Sequence, residues 1–179
     1  NVYDKIVIFF DFNTAGGNKT YYWDDVMMAV PAPAGLTKDL KLTALFDGPI
    51  SGSPKGIEVY VVNNIADLST FGVGTANNGG GTDGQEYTFP AVSANAGDIL
   101  YVANDTAQFF SFFGIHADFQ DAPSGSQAMN FNGNDAVELY EQGQIIDIYG
   151  DPNVNGTNTP WDYVDTWVYR NCSTGPDST

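Results

Sequence analysis

Apolar and polar residues alternate along three stretches of this chain. The stretches are KLTALFDG (41–48), KGIEVYVVNN (55–64) and DAVELYEQGQIIDIYG (135–150). Within residues 56–62 and 136–140 the apolar side chains fall on one face, while Glu58 and Glu138 point to the other. This period of two is typical of half-buried strands. Because such strands recur at roughly ten-residue spacing with Gly and Asn between them, the pattern predicts an all-β fold, an immunoglobulin-like β-sandwich.

Further elements follow from the same pattern. Residues 87–90 and 99–103 are expected to be strands, and Gln142 and Gly143 the turn of a hairpin. Residues 105–113 predict a short helix, with Asp105 or Thr106 as its N-cap and its phenylalanines packed inward. Residues 65–85, rich in Gly, Asn and Asp, are expected to form a loop.

The N-terminal residues 1–30 are predicted to belong to a separate module. Two apolar runs, DKIVIFFDF (4–12) and TYYWDDVMMAV (20–30), predict a β-hairpin that needs cover from another element. We therefore expect residues 1–30 to be the terminal hairpin of a second β module. A proline-rich linker (31–36) and the main sandwich (37–179), truncated at its C-terminus, are expected to follow.

The net negative charge of the chain limits the kinds of molecule that it is expected to bind. The 179 residues include 22 acidic and only 6 basic side chains, for a net charge of −16. Proteins bind nucleic acid by neutralising phosphates with Lys and Arg, so direct binding to nucleic acid is not expected. Dense carboxylates favour divalent cations instead.

The sequence contains neither a pair of cysteines nor a long apolar run. A single cysteine, Cys172, excludes an internal disulfide. No run of roughly 18 apolar residues predicts a membrane span.

One loop has the spacing of a calcium site. Residues 151–162 place Asp151, Asn153 and Asn155 at positions one, three and five, glycine at six and Asp162 at twelve, with Thr157 offering a backbone carbonyl. The alternative is an Asx-rich turn closed by its own side-chain hydrogen bonds.

Two resemblances add expectations. The phrases PKGIEVY, NGNDAVELY and IIDIYGD, followed by W-x5-W-x-YR, are similar to the lamin tail domain family in its secreted form, over roughly residues 37–179. This resemblance implies a non-catalytic, immunoglobulin-like module of an extracellular multidomain protein.

The phrase YYWDDV resembles the closing strands of galactose-binding-like jelly rolls, which implies a second calcium position at Asp24 and Asp25. The alternative is that one of that pair is solvated.

Aromatic and asparagine residues supply the remaining candidates. Trp23, Trp161 and Tyr163 are candidates for stacking on sugar rings, whereas Trp167 and Tyr169 share one strand face and are expected in the core. Acceptor triplets for N-glycosylation, which also arise by chance in Asn-rich turns, stand at Asn18, Asn104, Asn155 and Asn171.

No group of residues predicts catalysis. His116 has no nucleophile in a recognisable motif beside it, Cys172 has only Arg170 as a basic neighbour, and Glu58, Glu138 and Glu141 are expected on solvated faces. The sequence therefore predicts a calcium-stabilised module for adhesion, assembly or polysaccharide attachment, with other β-modules and polysaccharide as partners. The alternative is an accessory domain of a secreted nuclease, phosphatase or polysaccharide hydrolase whose catalytic domain lies elsewhere.

Overall fold

The computed structural model describes residues 35–50, 52–121, 128–171 and 174–177. All of them belong to one compact unit, Gly35–Thr179. The hairpin predicted for residues 1–30 and most of the linker predicted for 31–36 lie outside the described residues, so the second β module stays a prediction.

The described residues form two β-sheets and one short α-helix, with three single-turn 3-10 helices in the connections. The strands are β1 (Leu40–Asp47), β2 (Lys55–Val61), β3 (Phe71–Ala76), β4 (Tyr87–Thr88), β5 (Ile99–Ala103), β6 (Phe119–Gln120), β7 (Ala136–Glu141), β8 (Gln144–Tyr149) and β9 (Trp167–Tyr169). The helix α1 (Thr106–Phe113) lies between β5 and β6 along the chain. The first sheet has the order β6-β5-β2-β1-β9, and the second has the order β4-β3-β7-β8. The prediction of an all-β sandwich is confirmed, and its immunoglobulin-like assignment stays a prediction.

The core lies between the sheets. In β1 and β2, Leu42 pairs with Val59 and Leu45 with Ile57, and none of the four is more than 3% exposed. A register shift between Leu42 and Ala44 lets the two leucines, three residues apart, both face inward. The second sheet contributes fully buried side chains to the same cluster, namely Val73, Val137, Leu139 and Ile146. Burial of apolar surface on this scale is the main force that holds the two sheets together.

The helix forms where its capping residues predict it. The Asp105 side chain accepts a hydrogen bond from the Gln108 N–H, and Gly114, with φ 70°, ends the helix. Phe109 is fully buried against Phe46 and Ala103 on the outer face of the first sheet. The expectation that all the phenylalanines pack inward was wrong, because Phe110 and Phe112 are exposed.

The β7–β8 hairpin is confirmed with its predicted turn. Gln142 and Gly143 both have positive φ, 52° and 74°. Two successive left-handed residues make the tight turn whose twist matches antiparallel strands.

The loop expected at residues 65–85 contains a strand. All six residues of β3 are buried, and β3 pairs with both β4 and β7. Its two glycines allow the following segment to pack directly on its outer face: a Cβ atom at Gly74 would lie 2.3 Å from the Gly84 carbonyl oxygen. The glycines that made this stretch look like a loop are therefore required by close packing.

Among the described residues, none of the helices has both the length and the hydrophobicity needed to cross a bilayer.

Candidate functional site

The strand glutamates do not lie on solvated faces, contrary to the expectation. Glu138 and Glu141 are 0% and 2% exposed, and Glu58 is half-buried. Alternation does place Glu138 on the outer face of the second sheet, but the segment after β3 covers that face, so that the Thr82 and Tyr140 hydroxyls both donate to its carboxylate. Burial needs such partners, because an unpaired carboxylate is costly in the interior.

Glu141 binds the segment that leads into β1. Its Oε1 accepts hydrogen bonds from the backbone N–H and the hydroxyl of Thr37, both at 2.9 Å, and its Oε2 accepts one from the Lys38 N–H at 2.8 Å. Because Glu138 and Glu141 bind different segments and Glu58 lies on the other sheet, the structure does not bring the three carboxylates together as an acid/base pair.

A buried ion pair holds one end of the sandwich. Lys55 Nζ lies 3.0 Å from Asp47 Oδ1, and both side chains are less than a tenth exposed. The ammonium also donates to the Phe131 carbonyl and to Asn132 Oδ1. Asp47 Oδ2 accepts from the Gly133 N–H at 2.9 Å, so this pair joins β1, β2 and the segment before β7.

A second ion pair ties β9 to β8. Arg170 donates to both carboxylate oxygens of Asp147, at 2.6 and 2.7 Å, and its Nε donates to the Leu42 carbonyl. Burial raises the pKa of Asp147, although Arg170 opposes this shift. A cleft of about 260 Å³ at the same edge is lined by residues of β1, β8 and β9 and by Arg170, whose guanidinium is engaged by Asp147.

The predicted calcium loop closes on itself. Asp151 Oδ1 accepts from the Asn153 N–H, and Asn155 Oδ1 accepts from the Thr157 N–H, both at 2.9 Å. Asp162 accepts from the N–H groups of Asn158 and Val164. These are the contacts of the Asx-turn alternative. Within the described ranges, no three His, Cys, Asp or Glu side chains form a group that could hold a metal ion. Calcium binding by this loop stays a prediction.

Asparagine side chains connect this loop to the rest of the domain. Asn134 Nδ2 donates to Asn155 Oδ1 and Thr157 Oγ1, and Asn155 Nδ2 donates to Asn78 Oδ1 at 3.2 Å. The loop is therefore held against the segments before β7 and after β3 by neutral side chains.

The other predicted sites are spread over the chain. Asp24, Asp25, Trp23 and Asn18 lie outside the described residues. Of the remaining glycosylation candidates, Asn155 and Asn171 are exposed, and Asn104 is half-buried. Asn104 also accepts a hydrogen bond from the Lys55 N–H through its side-chain oxygen. Use of these acceptor triplets stays a prediction.

Two of the predicted stacking residues serve the fold. Tyr163 is 1% exposed and packs against Phe131 and Tyr149, so its prediction as a sugar-stacking residue was wrong. Trp161 is half-buried, with its indole against the backbone of two glycines, since a Cβ atom at Gly156 would lie 2.4 Å from the ring. Burial raises the pKa of Tyr163 well above its ordinary value.

Two exposed aromatic side chains belong to β9, where the sequence predicted core residues. Trp167 and Tyr169 in β9 are 42% and 59% exposed, so that expectation was wrong. They lie on the outer face of the first sheet, where α1 covers Phe46 and Ala103 but leaves the edge open. Tyr169 packs edge-on against Phe46 with ring centres 6.0 Å apart, and Trp167 packs edge-on against Phe113 at 5.7 Å.

The same face continues across the sheet. In register, Tyr169 is opposite Ala44, Ala44 is opposite Glu58, and Glu58 is opposite Tyr101. The Tyr101 ring is half-buried, with its centre 6.4 Å from that of Phe46. We call the group Tyr101, Glu58, Trp167 and Tyr169 the aromatic face.

Glu58 is the hydrogen-bonding centre of the aromatic face. Its Oε1 accepts from the Thr43 hydroxyl and its Oε2 from the Tyr101 hydroxyl, both at 2.7 Å. Burial, followed by this bond to Glu58, raises the pKa of Tyr101, so its hydroxyl stays protonated and donates. Each carboxylate oxygen keeps a further lone pair for another donor.

The aromatic face could have been found in the sequence. The run IEVYV places Glu58 and Tyr60 on the outer face of β2, opposite to Ile57, Val59 and Val61. Three-residue β9 pairs only with β1, at the sheet edge. An aromatic residue on the outer face of an edge strand has fewer neighbours to cover it than one facing the core, and this signal distinguishes Tyr169 from core tyrosines such as Tyr163.

His116 and Cys172 complete the predicted residues. His116 is exposed, and its ring stacks on Phe110 at 4.0 Å between centres. Cys172 lies outside the described residues.

Comparison with protein-family models, curated proteins and solved structures found no match to this chain. The resemblance to the lamin tail domain family therefore stays a prediction from the sequence.

Proposed function

We infer that this chain is a non-catalytic binding module of an extracellular multidomain protein, serving in adhesion, assembly or polysaccharide attachment. The observation that carries the inference is the aromatic face, because two large aromatic side chains are substantially exposed on a sheet whose other face forms the core. Exposed aromatic patches on soluble domains commonly mark surfaces of interaction. The extracellular setting follows from the resemblance stated above.

The carboxylates support a binding role. Glu138, Glu141 and Asp47 accept hydrogen bonds from groups of separate segments, and each thereby stabilises the fold. A hydrolase of the glycosidase type needs two carboxyl groups facing one cleft. Among the described residues, these buried carboxylates instead bind separate segments of the sandwich.

Two measurements on the same chain test the proposal. The purified protein is incubated with polysaccharide, nucleic acid and phosphoester substrates; retention on the insoluble material and release of soluble products are both measured. We expect retention without product. Product that accumulates with the natural chain and is lost with Glu138→Gln would contradict the proposal.

A further inference from the structure

The aromatic face has the shape and polarity of a surface for sugar rings. We propose that Trp167, Tyr169 and Tyr101, together with the Glu58 carboxylate, bind an uncharged polysaccharide. The inference rests on the proposed function and adds the ligand class and the residues that contact it.

The spacing of the side chains suits an extended ligand. Trp167 and Tyr169 are two residues apart on β9, which separates them by about 7 Å along the strand. Tyr101 stands three strands away across the sheet, at about 14 Å. A chain of linked sugar rings can contact several of these positions at once, whereas a single small molecule cannot.

The rings are held in place before any ligand arrives. Phe46, which is 1% exposed, supports both Tyr169 and Tyr101, and Phe113 supports Trp167 edge-on. Side chains that are already fixed lose little conformational freedom on binding. Flat aromatic surfaces with such support suit the apolar face of a sugar ring.

Glu58 gives the face its polar specificity. Thr43 and Tyr101 orient its carboxylate, and each oxygen retains capacity for another hydrogen bond. The hydroxyl groups of a sugar would be the donors. An occupant with apolar faces and hydroxyl edges matches this arrangement of rings around a carboxylate.

Charge and area select among possible occupants. The net charge of −16 and the central carboxylate oppose polymers that carry uronate or sulfate groups. The three rings are only partly exposed and together present at most a few hundred Å², below the roughly 800 Å² per partner of a stable protein interface. An uncharged polysaccharide is therefore favoured over an anionic one and over a protein partner.

Retention on insoluble cellulose, on chitin and on an insoluble neutral β-glucan tests the proposal, with alginate gel as the anionic comparison. We expect the natural chain to be retained on at least one neutral matrix. Tyr169→Ala and Trp167→Ala should each weaken retention about tenfold or more, as for an aromatic anchor in other interfaces. Tyr169→Phe, which keeps the ring, should retain binding even if the alanine variants prove unstable.

The matched control is Phe110→Ala. Phe110 is 44% exposed on α1 but does not belong to the aromatic face, and this variant should bind like the natural chain. The proposal is overturned if no neutral matrix retains the natural chain, if only alginate does, or if the aromatic-face variants bind normally. Binding elsewhere on the chain would leave the proposed function standing, whereas turnover of the polysaccharide would contradict the proposed function itself.

Discussion

At the scale of single residues, the described structure depends on buried charges that are fully engaged. Among the described carboxylates, five are no more than 2% exposed, and each accepts a hydrogen bond from a group distant in sequence: Asp47, Asp135, Glu138, Glu141 and Asp147. The acidic residues therefore have two roles. Some carboxylates give the surface its charge, while these five join segments inside the fold.

The Lys55–Asp47 pair gives a direct prediction. Lys55→Met leaves Asp47 buried without its cation, and the loss of one partner of a buried pair costs about 3–5 kcal/mol. Guanidinium unfolding measures the change in the free energy of unfolding. Lys41→Met is the matched control, because Lys41 is more exposed and, among the described residues, its Nζ contacts the Tyr60 ring and the Thr174 carbonyl rather than a carboxylate. That control should change the free energy of unfolding by less than about 1 kcal/mol. Equal effects of the two substitutions would contradict the role assigned to the buried pair.

Buried tyrosines predict the response to alkaline pH. Burial raises the pKa values of Tyr163 and Tyr140 above the ordinary 10.0, and that of Tyr87 to about 12. Above pH 10 the unfolded chain therefore loses protons that the folded chain keeps, so stability falls as pH rises through the window between the two sets of pKa values. Tyrosinate absorbance and circular dichroism, followed together, should show these tyrosines ionising only as the fold is lost. Ionisation of every tyrosine near its ordinary pKa in a still-folded chain would contradict this account.

At the scale of elements, local sequence signals predicted most of the regular structure. The β7–β8 hairpin and α1 were predictable because their turn and capping residues have a specific backbone requirement, as with Asp105 and Gly143. The sequence did not predict β3, because glycines such as Gly72 and Gly74 are typical of loops. In the structure these two glycines leave room for another segment to pack closely on the strand.

The alternation of apolar and polar residues could not predict which outward side chains are buried. A period of two separates inward from outward positions, but it does not tell which outer face another segment covers. Glu138 is buried because the segment containing Thr82 lies over it, and Trp167 is 42% exposed although Phe113 at the end of α1 packs edge-on against it. Both outcomes depend on contacts between residues far apart in the chain.

The helix cap is tested by substitution. Asp105→Ala removes the side chain that accepts the Gln108 N–H and should lower the free energy of unfolding by about 1 kcal/mol. Asp105→Asn keeps a good capping side chain and should behave almost like the natural chain. Chemical denaturation of both variants provides the comparison, and equal destabilisation by the two would show that the cap is not the cause.

The loop at residues 151–162 gives a prediction about calcium. If Asp151, Asn153, Asn155, Thr157 and Asp162 bind the ion, millimolar calcium should raise the melting temperature and EDTA should lower it, because a ligand that binds only the folded state stabilises it. Asp162→Asn should remove that difference. Melting temperatures that do not change with either addition would leave the loop as the Asx-turn structure described above.

At the scale of the whole molecule, the sandwich uses its two outer faces differently. The second sheet covers its outward glutamate with the segment after β3, whereas the first sheet is covered by α1 only in part. The uncovered part carries the exposed aromatic rings around Glu58. Exposed aromatic rings beside a carboxylate on this sheet are the features on which the proposed binding of an uncharged polymer rests.

The three tryptophans allow the central claim to be measured in the natural protein. The chain contains Trp23, Trp161 and Trp167, so its NMR spectrum should show three indole N–H signals, assigned with single Trp→Phe variants. On titration with a soluble neutral oligosaccharide of the polymer that retains the protein, we predict that the Trp167 signal shifts progressively while that of Trp161 stays in place. A spectrum in which Trp167 does not respond while Trp23 or Trp161 shifts, or in which none of the three signals moves, would contradict binding at the aromatic face.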